Sequence, residues 1–259
     1  MPHYFSQWKA DGYDNDMGSA SFLPPPPKGF VRLYYFTSAK HAISNIENAR
    51  LKLARFSDAN DPFELMGLML REQSVRAAVK EFKKSCNDET GLLCFSGNWT
   101  NPLLWSHYGD KHAGVCLGFD VEKGLSHPVS YEDARLLARL AKKGGSFVLD
   151  DNLKQQLLIT KSNHWKYEQE RRVFVELRKA LKIGDLYFRS FDKRLRLAEV
   201  ILGPRCNLKT DDVKKAASGH PCAIIYRSRL EFGGFRVIRN GRDLPNIAQA
   251  LSNRPNGCT

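Results

Sequence analysis

Three observations in the sequence predict a mixed α+β fold. Short runs rich in β-branched and aromatic residues, such as VRLYYFT, GVCLGFD and AEVILGP, recur along the chain. Two segments place apolar residues at helical spacing, at Ala42, Ile43, Ile46 and Ala49 and again at Val75, Ala78, Val79 and Phe82. Strand-like runs outnumber helices in the second half and helices cluster in the first, so the regular alternation of a parallel βαβ protein is missing. With 259 residues and 42% hydrophobic content, the chain has the material for a substantial core.

Residues 1–29 are predicted to be a flexible N-terminal segment: the first 23 are polar, aromatic and aperiodic, and the prolines at 24–27 form a stiff extended spacer. Residues 30–259 then form a single α+β domain. VRLYYFT is a strand, Ser38 caps the helix AKHAISNIENARL, LKLARF is a short strand, and Asn60-Asp61-Pro62-Phe63 is a turn held by an Asx side chain. After the second helix, LLCFS is a buried strand. Asn101-Pro102 starts a short helix, since a cap residue followed by a first-turn proline fits the helix entrance. GVCLGFD is the next strand, and helical stretches follow at 134–142 and 147–160. Beyond the segment WKYEQERRVFVEL come strands at LYFRSF and AEVILGP, a helix from Thr210, and strands at CAIIY and 235–238.

Composition narrows the function without choosing it. Forty Lys and Arg against 28 Asp and Glu give a formal charge of +12, which suits nucleic acid or a phosphate-bearing substrate, although no run of five basic residues marks a dedicated tail. Six cysteines lie apart with no CxxC or zinc spacing, and are expected to be buried thiols in a reducing compartment. The N-terminus has no signal-peptide pattern and no apolar stretch reaches membrane-spanning length, so a cytoplasmic protein without membrane contact is expected. Neither a P-loop nor a dinucleotide fingerprint is present.

Four polar clusters stand at strand ends or turns, where functional residues gather. Tyr34 to Ser38 runs into a helix N-terminus and offers Tyr35, Thr37 and Ser38 to a ribose or phosphate, or simply caps a helix. Asn60 and Asp61 form the turn already described. Trp105, Ser106, His107 and Tyr108 are suited to stacking a nicotinamide or base, or to core packing. The fourth cluster holds Lys161, His164, Trp165 and Tyr167 with Glu168 and Glu170, joined further along the strand by Arg172. In an extended strand the two glutamates point to one face, and adjacent like charges push their protonation apart. On pattern alone the same spacing reads first as a solvated strand edge.

Taken in order, LYYFTS, LKLARF, NDPFE, LLCFS, PLLWSHYGDKHAGVCLGFD and the K(x)3WKYEQERR block resemble the family named domain of unknown function 2971, over about 33–177. More distantly, LYYFTSAKHAISNIENARL is similar to the opening strand and helix of the DarT-type ADP-ribosyltransferase toxins, with Tyr35-Phe36-Thr37 where that group has His-x-Thr. Glu168-Gln169-Glu170 resembles its Glu-x-Glu. That resemblance implies an ADP-ribosyltransferase-like split β-sheet with helices packed on it, and an NAD-dependent ADP-ribosyltransferase of a toxin or phage-defence kind acting on nucleic acid. It implies Glu170 as the catalytic residue and Glu168 as its helper, with NAD as substrate and no metal. Tyr35, Thr37, Ser38, Trp105, Ser106, His107 and Tyr108 would bind NAD, and Asn60, Asp61, Lys161, Trp165 and Arg172 would face the acceptor. An antitoxin or other regulatory protein would be a partner. Two alternatives from the residues themselves stay open: a non-enzymatic nucleic-acid-binding module, and a metal-dependent nuclease using Glu168, Glu170, Asp61 and His107.

Overall fold

The computed structural model describes residues 24–136, 142–143, 146–253 and 255. Residues 1–23 of the expected flexible segment, 137–141 of the expected helix at 134–142, and Cys258 lie outside the described residues.

The chain is a mixed α+β protein. It begins with β1 (Phe30–Thr37), α1 (Ala39–Glu47), β2 (Arg50–Lys52), α2 (Gln73–Glu89), β3 (Thr90–Ser96), α3 (Pro102–His107) and β4 (Val115–Glu122). The short strands β5 (His127–Pro128), β6 (Ser130–Glu132), β7 (Lys142–Lys143) and β8 (Ser146–Phe147) lead to α4 (Asp151–Ile159), β9 (Thr160–Ser162) and β10 (Glu170–Glu176). The remainder comprises β11 (Leu181–Ile183), β12 (Leu186–Ser190), β13 (Leu195–Leu202), α5 (Thr210–Ala216), β14 (Ile224–Leu230), β15 (Val237–Arg239) and α6 (Leu244–Ser252).

The helix starts follow the capping chemistry of the sequence. Ser38 accepts a hydrogen bond from the His41 N–H at the head of α1, and Asn101 accepts from the Leu103 N–H ahead of Pro102 in α3. Helix α1 is shorter than its apolar spacing predicts, because Ala49 adopts a left-handed conformation with φ 47° and turns the chain into β2. Its buried face is therefore Ala42, Asn45 and Ile46, without Ala49. At 134–136 there is a bend and a bridge in place of helix, and α6 is an element beyond those expected.

Eight strands form one sheet in the order β15-β14-β13-β4-β1-β3-β10-β5, antiparallel except for the parallel pair β13 and β14. Strand β1 is paired with β4 along its length, from Phe30↔Glu122 to Thr37↔Val115. Its pairing with β3 is confined, among the described residues, to Tyr34↔Ser96. The sheet thus has a large wing, β15 to β1, and a small wing, β3, β10 and β5, joined at a single position. Leu33, Phe95, Leu117, Phe119 and Val200 bury one face of the sheet against Ala42 and Ile46 of α1 and Val213 of α5. Trp105, Cys116, Ile201, Tyr226 and Val237 pack the other face with Ile247 of α6.

Cys86, Cys116 and Cys206 are buried thiols as their apolar surroundings predict. Cys222 departs from that expectation: it is disulfide-bonded. Among the described residues no helix is long and apolar enough to cross a membrane.

Candidate functional site

The two glutamates meet by a route that strand periodicity does not predict. Asn163–Glu168 is a short 3₁₀ segment, Gln169 takes the left-handed conformation (φ 47°, ψ 47°), and Glu170 opens β10. Glu168 and Glu170 are therefore not neighbours on one face of an extended strand; the left-handed residue between them turns the chain so that both reach the same ammonium. The expected alternation does hold from Glu170 to Arg172. The solvated-edge reading fails on burial, since Glu168 and Glu170 are each 5% exposed and Arg172 is 0% exposed.

Every buried charge here has partners, as the cost of burying an unpaired ion demands. Lys161 Nζ donates to Glu168 Oε2 at 2.5 Å and to Glu170 Oε2 at 3.1 Å. Arg172 donates through Nε and Nη2 to the two oxygens of Glu170, at 2.9 and 3.2 Å. It also donates through Nη1 and Nη2 to the two oxygens of Glu64, at 2.9 and 2.6 Å. Its Nη1 also reaches the Leu158 carbonyl at 2.8 Å, so one guanidinium fork holds two carboxylates and a backbone oxygen. Asn60 Nδ2 donates to the Tyr108 hydroxyl at 2.8 Å, which in turn donates to Glu168 Oε1 at 2.6 Å. From the other side the Glu170 N–H donates to the Tyr131 hydroxyl at 2.7 Å.

The network faces a cavity of about 280 Å³ at the junction of the two wings. Tyr34, Tyr35 and Phe36 of β1 wall one side, Leu92 to Ser96 of β3 contribute Cys94, Phe95 and Ser96 to the other, and Lys161, Glu168 and Glu170 close it with Glu64, Asn60 and Tyr108. Cys94 has surface open to this cavity while protein envelops it, and that burial, with Glu170 beside it, holds its thiol well above the usual range. It is a neutral wall residue.

Electrostatics separates the carboxyls. Burial opposes the charge of Glu170, but the Arg172 guanidinium and the Lys161 ammonium outweigh it and bring its pKa down to about 2. For Glu64 burial prevails over Arg172, and its carboxyl is pushed up from the usual range. Burial likewise opposes the Lys161 ammonium, yet Glu170 and Glu168 hold it above its ordinary value. Burial and the hydrogen bond to Glu168 keep Tyr108 a phenol, and burial pushes Tyr131 up to about 12. Glu64, Glu168 and Glu170 face Lys161 and Arg172 at the inner end of the cavity, while Lys52, Arg55 and Asp58 line it as well, so the lining balances in charge. The ionised Glu170 is the group placed to favour a ligand atom that becomes positive.

Of the residues singled out from the sequence, Glu168, Glu170, Lys161, Asn60, Tyr108 and Tyr35 line the cavity, and Arg172 supports it from beneath. Others are placed elsewhere. Thr37 and Ser38 are not in the cavity wall; Ser38 is occupied as the α1 cap. Trp105, expected against a cofactor, is wholly buried, with its indole N–H on the Trp99 carbonyl at 2.6 Å and its ring edge-on to Phe36. Ser106 and His107 are exposed, and His107 lies against Tyr108 and Tyr167. Asp61 is buried and accepts from the Phe63 N–H, while Trp165 lies in a neighbouring groove with the Lys161 ammonium 4.7 Å from its ring centre. Among the described residues no three His, Cys, Asp or Glu side chains are arranged to hold a metal.

Sequence reasoning overlooked Glu64, Tyr131 and Cys94. The signal for Glu64 was present: a lone carboxylate in the otherwise apolar run FELMGLML has to be buried with a partner or to interrupt the core. Tyr131 had no such mark.

No curated protein and no solved structure matches the chain. Residues 104–173, a stretch that runs from within α3 through β4 to Lys161, both glutamates and Arg172, match the model of the family described as "Protein of unknown function (DUF2971)", the family that the ordered sequence blocks resemble.

Proposed function

We propose that the protein is an NAD-dependent ADP-ribosyltransferase-like enzyme that transfers ADP-ribose to nucleic acid. The observation that carries the reading is Glu170, a buried carboxylate held ionised by Arg172 and Lys161 at the edge of a cavity between two sheet wings, with Glu168 beside it. Cleaving the nicotinamide–ribose bond develops positive charge on the ribose, as in glycoside cleavage. A carboxylate already charged and desolvated stabilises that charge without reorganising. Lys161 and Arg172 would fix its orientation, and Glu168, hydrogen-bonded to Tyr108, would direct the acceptor. The cavity, about 280 Å³, is just under the usual size of ligand pockets, so it would take only the nicotinamide riboside end of the dinucleotide, beside Tyr35 and Tyr108, and leave the rest outside it. The single pairing between β1 and β3 supports a split-sheet architecture of the ADP-ribosyltransferase kind. The charge of +12 supports a polyanionic acceptor.

The test is nicotinamide release from NAD, followed with and without added DNA or RNA. The wild-type protein should consume NAD, and Glu170→Gln, which keeps shape but removes charge, should lower the rate about a hundredfold or more. Absence of NAD consumption under all acceptor conditions, or a loss of only about tenfold in a variant that is still folded at the assay temperature, overturns the reading.

A second reading has its own observation. Both oxygens of Glu170 are already engaged by cations, as in a structural ion network, and this favours a non-enzymatic nucleic-acid-binding module. That reading expects nucleic-acid binding with no NAD turnover.

A further inference from the structure

The hairpin joining β14 to β15 ends in two phenylalanines that no described residue covers. Phe232 is 92% exposed and Phe235 is 98% exposed, with Leu230 beside them at 54%. Scattered exposed apolar residues are ordinary, but two aromatic rings on one tip lose hydration free energy with no packing in return, which marks a contact surface. The surroundings state the chemistry of the contact. Arg229 lies 4.4 Å from the centre of the Phe232 ring. Of the other four arginines between Arg227 and Asp243, Arg227 donates to the Cys206 and Leu208 carbonyls, Arg236 pairs with Glu231, Arg239 is buried, and Arg242 is exposed beyond β15, so Arg229 supplies the cation at the rings. A cation–aromatic pair on the hairpin is complementary to stacked bases and phosphate, whereas a purely apolar partner would leave the arginine desolvated.

The hairpin is also tied to the candidate site. The Val237 N–H donates to the Thr100 carbonyl at 2.8 Å, and the loop containing Thr100 holds the two flanks of Glu168: the Gly97 N–H donates to the Gln169 carbonyl and Asn101 Nδ2 to the Tyr167 carbonyl. A strand held on the tip is thus anchored to the loop that braces the glutamates.

We infer that Phe232 and Phe235 form a stacking clamp for single-stranded nucleic acid, with Arg229 on the adjoining phosphate. The inference rests on the nucleic-acid acceptor of the proposed function and is independent of its NAD chemistry. Fluorescence anisotropy with a labelled mixed-sequence single-stranded oligonucleotide, titrated at several salt concentrations, tests it in the full chain. The double variant Phe232→Ala/Phe235→Ala should bind about tenfold or more weakly with the salt slope unchanged, because stacking is lost and phosphate contacts are kept. Arg229→Gln should lower the slope. NAD consumption without added nucleic acid should be the same in the Phe232→Ala/Phe235→Ala variant and the wild type, which separates failure of the clamp from failure of the chemistry. Equal affinity of the double variant and the wild type, or no binding by the wild type at low salt, overturns the clamp. A wild-type dimer that the double variant converts to monomer, with oligonucleotide binding unchanged, assigns the tip to a second copy of the chain and overturns it as well.

Discussion

Arg172 is the residue on which the site depends. Its fork serves Glu64 and Glu170 together, and its planar geometry makes this possible where a lysine ammonium would meet one carboxylate well and the other poorly. Removing it leaves the buried Glu64 carboxylate without its cation and Glu170 with Lys161 alone, the costly way to break a buried ion pair. Arg172→Met should therefore destabilise the fold by about 3–5 kcal/mol. Arg172→Lys should recover only part of that loss, because the second bidentate contact cannot be rebuilt. Urea unfolding midpoints decide the matter: a loss within about 1 kcal/mol, typical of an exposed pair, would show that the network is not desolvated. Trp105 offers a contrasting case. Its burial and its hydrogen bond to Trp99 make it a packing residue, so Trp105→Ala should cost about 3–5 kcal/mol of stability. NAD affinity in the folded fraction should be unaffected, and tighter or weaker NAD binding at unchanged stability would contradict this.

Secondary structure was legible where local chemistry decides it and obscure where a single dihedral does. Ser38 and Asn101-Pro102 marked helix entrances, and LLCFS, GVCLGFD and AEVILGP marked strands, because capping and strand patterns are short-range. The convergence of Glu168 and Glu170 was anticipated from a period of two, but a left-handed residue produces it, and nothing in the identity of Gln169 announces that conformation. Ala49, Leu65 and Lys111 also have positive φ, and each marks a place where tertiary packing overrides a residue's own preference. In the site, Glu168, Glu170, Lys161, Asn60 and Tyr108 were recoverable from polar clusters at element ends, whereas Glu64 and Tyr131 join them only through long-range packing. The role of Gln169 leads to a direct expectation. Gln169→Gly should leave stability unchanged or raise it by up to about 1 kcal/mol, since glycine adopts this conformation freely at some cost in unfolded-state entropy. Gln169→Val, β-branched at positive φ, should cost about 1–2 kcal/mol or more and displace Glu168 from Lys161. Thermal melts of the two variants settle it, and equal melting temperatures for valine and glycine would rule out strain at this position.

The fold as a whole holds its charge unevenly, and that has a consequence for acid stability. The surface is basic, while the junction of the wings concentrates buried carboxylates whose protonation is coupled to folding. Glu170 falls from 4.5 to about 2 in the folded protein, so it stabilises the fold fully above 4.5 and loses that contribution as pH falls toward 2. At about 1.4 kcal/mol per pH unit, this fall corresponds to about 3 kcal/mol. Glu64 works in the opposite sense. Its raised carboxyl contributes fully below its ordinary value, and the contribution is lost as pH rises through its folded value. The junction therefore makes stability climb from pH 2 to 4.5 and decline somewhat above it, an optimum in weak acid unlike that of a fold held by surface pairs alone. Unfolding free energies measured across this range should show the acid slope flattened in Glu170→Gln and the decline above 4.5 flattened in Glu64→Gln. If both variants reproduce the wild-type profile, displaced by a constant, the junction carboxylates are uncoupled from folding and the two wings are held by their apolar faces alone.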